Sequence, residues 1–323
     1  MIEAVDVRFK GIVCGKLRRY FSWQNLVDIF KIPVGVVQSL FIIAQFRPNV
    51  IFCKGGYVSF PVAVAGWMLR VPVVLHEADV IPGLANRLSA RFAKAICVAF
   101  EESKKYFHHK KVVVTGNPVR TELQFASREK GLKFLDFMPS KPIVLFMGGS
   151  LGAGFLNDLV WKNLDRLLPL YQVAHICGAG KTKTPEEFAA MLPDKHRNLI
   201  GNYRDFSFLD HELKDLYAAA DVVVSRAGAM SLAELDFFHL PTILIPLSAK
   251  ASRGDQIANA KAFAKHHPAV VMQEEHFNDD KFLEVLKNMV KSDGKEFPEY
   301  DDNEAKKRGA APLNKIIHLL ESV

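Results

Sequence analysis

Ile-Val-Leu-Phe-Met-Gly-Gly-Ser-Leu-Gly-Ala, residues 143–153, is an apolar run that ends in a glycine-rich turn. A run with no polar alternation suits a strand covered on both faces, as in a parallel sheet, and the glycines allow a sharp turn into a following helix. The same grammar recurs outward from it. Short Val- and Ile-rich runs lie at Asn49–Cys53, Val71–Leu75, Ala95–Ala99 and Lys111–Thr115 before it, and at Gln172–Cys177, Asp221–Ser225, Thr242–Pro246 and Ala269–Met272 after it. The segments between them are long enough for crossover helices, which specifies an α/β chain with parallel sheets. A last helix is expected over Ala311–Leu320, and the charged stretch Asp293–Lys307 reads as a solvated surface.

With 323 residues, 49% hydrophobic and 24% charged, and mean hydropathy +0.06, the chain is no disordered polymer, and two domains are expected. The Pro139-Ser140-Pro142 region within Lys133–Pro142 marks the expected boundary, giving domains at 1–138 and 139–310, with the 311–323 helix joining the first. The second half opens as a nucleotide-binding half does, with strand, glycine turn and helix. The first half begins Met-Ile-Glu-Ala-Val-Asp-Val-Arg, so two Rossmann-like domains would leave the first without its opening βα unit.

Cys14, Cys53, Cys97 and Cys177 stand far apart, with no CxxC pair and no clustered histidines, which supports neither a disulfide framework nor a metal site and points to a reducing cytoplasm. Residues 1–140 carry 20 Lys+Arg against 10 Asp+Glu, and residues 141–323 carry 22 against 25. The first half therefore suits an anionic partner. The basic, aromatic stretch Lys16-Leu-Arg18-Arg19-Tyr20-Phe21-Ser22-Trp23 reads either as an ordinary core helix with a basic lip or as a contact with an anionic lipid surface, and fits nucleic acid less well because no recognition module accompanies the charge. No run of about 20 apolar residues spans a bilayer; Pro33 and Gln38 break one candidate, Pro61 and Arg70 the other, and the N-terminus lacks a secretory pattern.

Gly148-Gly149-Ser150-Leu151-Gly152 admits several readings. Ser150 stands where a dinucleotide fingerprint needs glycine. GxSxG is also the nucleophile elbow of serine hydrolases, with His266 or His267 as its histidine. A phosphate cradle at a helix N-terminus is the third reading, and a plain βα turn capped by Ser150 the fourth. Gly178-Ala-Gly180-Lys181-Thr182 is no P-loop, because His175 occupies the place of its leading glycine. Ser231-x-x-Glu234 is either a capping box starting a helix or, after the Gly228 turn, a diphosphate site whose Glu234 accepts ribose hydroxyls. Gln256 and Asn259 would share a helix face suited to sugar hydroxyls. His76-Glu77-Ala78-Asp79 and Thr115-Gly116-Asn117-Pro118-Val119-Arg120 end predicted strands, where parallel sheets bind ligands; His76 or Glu77 is a candidate general base and Arg120 a cation for an anion.

Seven ordered stretches, GKLRRYFSWQN, FCKGGYVSFPVAVA, VPVVLHEADVIPGLANRLSARFAK, TGNPVR, MGGSLGAGFLN, ADVVVSRAGAMSLAEL and SRGDQIANA, together resemble the MurG family of lipid-linked N-acetylglucosaminyltransferases from about Gly15 to about Val271. The resemblance implies a GT-B fold with its site in the cleft. It also implies inverting transfer of N-acetylglucosamine from UDP-N-acetylglucosamine to undecaprenyl-diphosphate-muramoyl-pentapeptide, with no metal or cofactor, at the cytoplasmic face of the membrane. Carried over, Ser150 meets the donor diphosphate, and Ala229, Met230, Ser231, Leu232, Ala233 and Glu234 hold phosphate and ribose. Leu209 lies by the uracil, Gln256 by the sugar, and Arg120 and Asp79 along the cleft. Asp79 stands where many members carry Asn. The family's opening Gly-rich loop, which ends in histidine, has no counterpart after Met1. A late start or a truncation would leave Glu77 or His76 as base, or leave an inactive UDP-sugar-binding remnant.

Overall fold

The computed structural model describes residues 8–15, 23–108, 111–149, 153–249, 251–252, 254–291 and 302–323, without the side chains of 23–27, 29, 185, 291 and 302–308. Two compact units emerge, residues 1–116 with 314–323, and residues 117–313.

The first unit holds β1 (Ile51–Cys53), β2 (Val73–Glu77), β3 (Ala95–Val98) and β4 (Val112–Val114), all parallel, in the order β1-β2-β3-β4. β2 and β3 are buried along their whole length, which is why their sequence shows no alternation. Alternate side chains still go to opposite faces. Val73, Leu75, Ile96 and Val98 pack on one face with Ala63 of α2 (Ser59–Met68). Val74, Ala95 and Cys97 pack on the other with Ile316 and Leu319 of the C-terminal helix. α1 (Trp23–Phe46) packs along α2, and α3 (Leu84–Ser89) follows the turn after β2.

The second unit is a six-stranded parallel sheet. Its strands are β5 (Ile143–Met147), β6 (Gln172–Ile176), β7 (Tyr203–Phe206), β8 (Val222–Ser225), β9 (Thr242–Leu244) and β10 (Ala269–Val271). Their order is β10-β9-β8-β5-β6-β7, the doubly wound arrangement whose strand order reverses between β5 and β8. α4 (Arg128–Leu135), α5 (Gly154–Lys162), α6 (Leu164–Leu167), α7 (Pro185–Met191), α8 (Leu213–Ala219), α9 (Ala229–Phe238), α10 (Asp255–Phe263) and α11 (Asp279–Lys291) also belong to this unit, and α12 (Asp302–Glu321) passes from it to the first.

The division falls after Gly116, ahead of the expected boundary at 138, and the contacts say why. α4 lies against α8 so closely that a Cβ on Gly131 would sit 2.2 Å from the Asp215 carbonyl. The Ser127 N–H donates to Asp215 Oδ1 at 2.8 Å, and Arg128 reaches both the Ala219 carbonyl (2.6 Å) and Asp221 (3.1 Å). The proline-bearing 138–142 segment is fastened too, since the Gln172 side chain accepts from the Met138 N–H and donates to the carbonyls of Met138 and Lys141.

Candidate active site

Ligands of doubly wound sheets bind beyond the carboxyl ends of the strands at the reversal point. In the second unit that point is where β5 runs into Gly148-Gly149 and β8 into Ser225-Arg226-Ala227-Gly228. Gly149 has φ +88°, a left-handed conformation that strains any other residue. Ser150, Leu151 and Gly152 lie outside the described residues, so the Ser150 expectation stays with the sequence.

The turn after β8 is held on both sides. Asn117 Nδ2 donates to the Ala229 carbonyl (3.2 Å) and Asn259 Nδ2 to the Ala227 carbonyl (3.3 Å). The nearly buried Arg226 donates to the Ile245 carbonyl (2.9 Å) and pairs with Glu274. Gly228 is the N-cap of α9, with no side-chain cap. Ser231 and Glu234 therefore sit inside the helix, and the capping-box reading is corrected. The first-turn N–H groups of α9 and the positive end of its dipole face outward from the carboxyl end of β8.

Glu234 is then turned to a different use. Its Oε1 accepts from Arg120 Nε at 3.2 Å and its Oε2 from the Tyr217 hydroxyl at 2.9 Å, with 13% of its side chain exposed. Arg120 also donates through Nη1 to Glu122 (2.9 Å) and to Asp210 Oδ1 (3.3 Å). The cation expected to meet an anion is thus engaged by three carboxylates. Glu122 further accepts from His211 Nδ1 at 2.9 Å. That bond holds the Glu122 carboxyl below the usual carboxylate range and raises the exposed His211 imidazole.

Of the other expected contacts, Leu209 is nearly buried beside Asp210 in the loop after β7, and Met230 is exposed on the first turn of α9. Ala229 and Leu232 face inward, while Ser231 and Ala233 are half-buried. Gln256, on α10, accepts from the Leu247 N–H at 3.0 Å through its carbonyl, which leaves its NH2 end to donate elsewhere. Arg120, Leu209 and Glu234 are thereby brought together in one unit. Sequence reasoning missed Tyr217, Asp210, Glu122 and His211. Only Tyr217's neighbours Leu213 and Leu216 carried a signal there, and it was a core signal.

In the first unit, β2 delivers His76 and Glu77, both of them buried. Glu77 accepts from the Asp79 N–H (3.1 Å), the Gly83 N–H (3.3 Å) and Asn86 Nδ2 (2.9 Å). Burial pushes its carboxyl up, against these bonds. His76 donates through Nε2 to the Gly116 carbonyl at 3.1 Å, and burial lowers its pKa. Glu77 thus orders the loop after β2 and His76 ties the end of β2 to the segment after β4; the expectation that one of them is the base stays with the sequence. Asp79, half-exposed on that loop, has its N–H held by Glu77 and its carbonyl by Ser103 Oγ at 3.1 Å.

The hydrolase reading loses its histidines to topology. His266 and His267 directly precede β10 and so lie at the amino end of a parallel sheet, whereas Gly148-Gly149 leaves the carboxyl end of β5. His267 instead stacks on Phe263 at 4.1 Å. Among the described residues no group of three or more His, Cys, Asp or Glu is arranged to hold a metal ion.

A doubly wound sheet with a clamped carboxylate and a helix N-terminus at its reversal point, in a chain that also holds a second parallel-sheet unit, defines the class as a GT-B glycosyltransferase fold. The glycosyltransferase family 28 N-terminal domain matches residues 1–98 and the C-terminal domain residues 143–314. The chain belongs to glycosyltransferase family 28, within the MurG group. A relative from Legionella pneumophila named UDP-N-acetylglucosamine–N-acetylmuramyl-(pentapeptide) pyrophosphoryl-undecaprenol N-acetylglucosamine transferase is 45% identical over 294 residues, covering 90% of this chain and 77% of its own length. A like-named protein from Bacillus thuringiensis is 41% identical over 318 residues, covering 98% and 86%. The crystal structure of Acinetobacter baumannii MurG superposes with TM-score 0.70 at 22% identity, over all of this chain and 87% of that one, which speaks for the fold.

Proposed function

We propose that this chain transfers N-acetylglucosamine from UDP-N-acetylglucosamine to the muramoyl C4 hydroxyl of undecaprenyl-diphosphate-linked muramoyl-pentapeptide. The observation that carries the reading is 45% identity over 90% of the chain to an enzyme named for that transfer, and Glu234 stands at the reversal point where a nucleotide is expected. The acceptor oxygen forms a bond to the sugar C1 as the bond from C1 to the diphosphate oxygen breaks, inverting the anomeric carbon. UDP leaves, and the hydroxyl proton passes to a base.

Each residue has a part in that sequence. Glu234 accepts the two ribose hydroxyls, Leu209 packs by the uracil, and Gln256 donates to the sugar. The N-terminus of α9 and the turn at Gly148, Gly149 and Ser150 take the charge that grows on the departing diphosphate, an electrostatic contribution made by fixed dipoles. At the end of β2, Glu77 or His76 takes the proton, and Asp79 on the following loop contacts substrate. A general base contributes about 10²- to 10⁴-fold, so Glu77→Gln or His76→Asn lowers kcat by that order while UDP affinity stays within twofold.

The acceptor's lipid requires a membrane surface. The Lys16–Ser22 segment expected to meet it lies outside the described residues, and among those described no helix is long and apolar enough to cross a membrane. Trp67 and Met68 are exposed, and Trp67 packs edge-on to Phe92 beside a cavity of about 400 Å³ bounded by Arg70, Arg91 and Lys94. Aromatic and cationic groups of this kind suit an anionic headgroup layer, and we propose peripheral attachment there at the cytoplasmic face.

The test is release of UDP from UDP-N-acetylglucosamine in the presence and absence of a short-chain lipid acceptor. Acceptor-dependent release supports the reading. Binding of the donor with no release overturns it in favour of a UDP-sugar-binding remnant.

A further inference from the structure

The Tyr217 hydroxyl sits in an unusual place: the side chain is fully buried on α8, yet its one polar atom is aimed at a carboxylate on another helix. Met147 Sδ lies 3.3 Å from the same oxygen. A hydroxyl has a single hydrogen to donate, and a carboxylate is a far stronger acceptor than a thioether, so that hydrogen goes to Glu234 Oε2. The other carboxylate oxygen takes Arg120 Nε. Glu234 thus receives one donor on each oxygen, from two different elements.

That arrangement fixes a torsion that is otherwise loose. The terminal torsion of a glutamate is broad, so an unclamped carboxylate samples many orientations. Each carboxylate oxygen has room for about two donors. With one position per oxygen filled from inside, one per oxygen remains, and a pair of adjacent hydroxyls supplies one O–H to each.

We infer that Tyr217 is a positioning residue that sets ribose selectivity: by holding Glu234 Oε2 it presents the carboxylate as a two-point acceptor for a cis-diol and so selects ribonucleoside diphosphates over their 2′-deoxy counterparts. The inference rests on the proposed reading of Glu234 as the ribose acceptor. Tyr217 touches no nucleotide and acts through Glu234.

The experiment measures the affinities of the full chain for UDP and for 2′-deoxy-UDP by calorimetry, in the native chain and in Tyr217→Phe, Glu234→Gln and the double variant. Loss of a hydrogen bond to a charged group predicts that Tyr217→Phe weakens UDP about tenfold and leaves 2′-deoxy-UDP within about twofold, so that the ratio between them collapses. In the Glu234→Gln background, Tyr217→Phe changes the ratio no further. A native ratio retained in Tyr217→Phe while Glu234→Gln loses it overturns the role of Tyr217 and leaves Glu234 as the ribose acceptor. A ratio unchanged in Glu234→Gln, or no UDP binding by the native chain, overturns the reading of Glu234 and the inference with it. Should Tyr217→Phe alone fail to fold, folding of the double variant supports the inference, because the hydroxyl is then needed only while Glu234 is charged. Failure of both to fold assigns Tyr217 to packing and overturns it.

Discussion

Lowering the pH from 7 to 5 should cost the second unit about 2 kcal/mol through one side chain, His175 of β6. Asn157 Nδ2 donates to the Cys177 carbonyl at 2.9 Å, so Asn157 Oδ1 is left to accept from His175 Nε2–H at 3.0 Å. His175 Nδ1 must then be the bare nitrogen, and it accepts from the Tyr203 hydroxyl at 2.8 Å. Each donor in this chain has its acceptor, and a second proton on the ring would set Nδ1–H against the Tyr203 O–H. Burial lowers the imidazole from 6.5 to about 3. Between those values the unfolded chain binds a proton that the folded unit refuses, so stability is full above pH 6.5 and is lost as pH falls, at about 1.4 kcal/mol per unit. Integrated from pH 7 to 5, the loss is about 2 kcal/mol, or about 1 M in urea midpoint at a slope near 2 kcal/mol/M.

Urea unfolding followed by fluorescence makes this measurable. Trp161 is 6.0 Å from His175 between ring centroids, and the other two tryptophans, Trp23 and Trp67, belong to the first unit. In a Trp23→Phe, Trp67→Phe background the signal therefore reports the second unit alone. His175→Gln should lower stability at pH 7 by about 1 to 3 kcal/mol, because Tyr203 and Asn157 lose well-placed partners. It should also flatten the acid dependence by about 2 kcal/mol relative to the native residue. An acid slope identical in the two chains would refute the reasoning, since it would locate the proton uptake elsewhere.

Gly131→Ala places a methyl 2.2 Å from the Asp215 carbonyl oxygen and 2.8 Å from Ala219 Cβ. It should force α4 off α8 and lower stability of the second unit by about 1 to 3 kcal/mol in thermal melts, and an unchanged melt would contradict that packing. Glu77 has a raised pKa in the folded state, so the folded state holds its proton longer and stability from this group falls as pH rises through the raised value. Glu77→Gln abolishes that dependence while opposing an NH2 group to an N–H donor, at about 1 to 3 kcal/mol. The gap in melting temperature between the native chain and the variant should accordingly narrow as pH rises above the ordinary carboxylate range. A fluorophosphonate probe should leave Ser150 unmodified, as read by peptide mass spectrometry, and labelling there would revive hydrolase chemistry.

The sheet architecture was legible where both faces are covered. β2, β3 and β5 are buried end to end, and burial of that kind writes itself as an apolar run without alternation, broken only by His76-Glu77 at the end of β2. β7 was not legible, because Tyr203-Arg204-Asp205-Phe206 is an edge strand whose charges have partners of their own: Arg204 pairs with Asp136 at 3.2 Å and Asp205 accepts from the Lys183 N–H at 3.1 Å. The prolines near 140 read as a linker because the Gln172 amide that fastens them comes from a strand 30 residues on. Glu234 was visible as a candidate, but its spacing from Ser231 fitted a cap equally well. What distinguishes the two is where the helix begins and what meets the carboxylate, and both depend on tertiary neighbours. His76-Glu77 looked catalytic at a strand end; the donors that occupy Glu77 arrive from Gly83 and from Asn86 on α3, which no local pattern announces.

The most direct test of the transferase assignment is the structure of the product. The full chain is incubated with UDP-N-acetylglucosamine and a short-chain lipid-diphosphate muramoyl-pentapeptide, and the lipid is recovered for mass spectrometry and proton NMR. The expected result is an acceptor heavier by one N-acetylhexosamine, β-linked to the muramoyl C4, with UDP formed in equal amount. An unmodified acceptor alongside free N-acetylglucosamine, or alongside a donor epimerised at C2, would contradict the assignment.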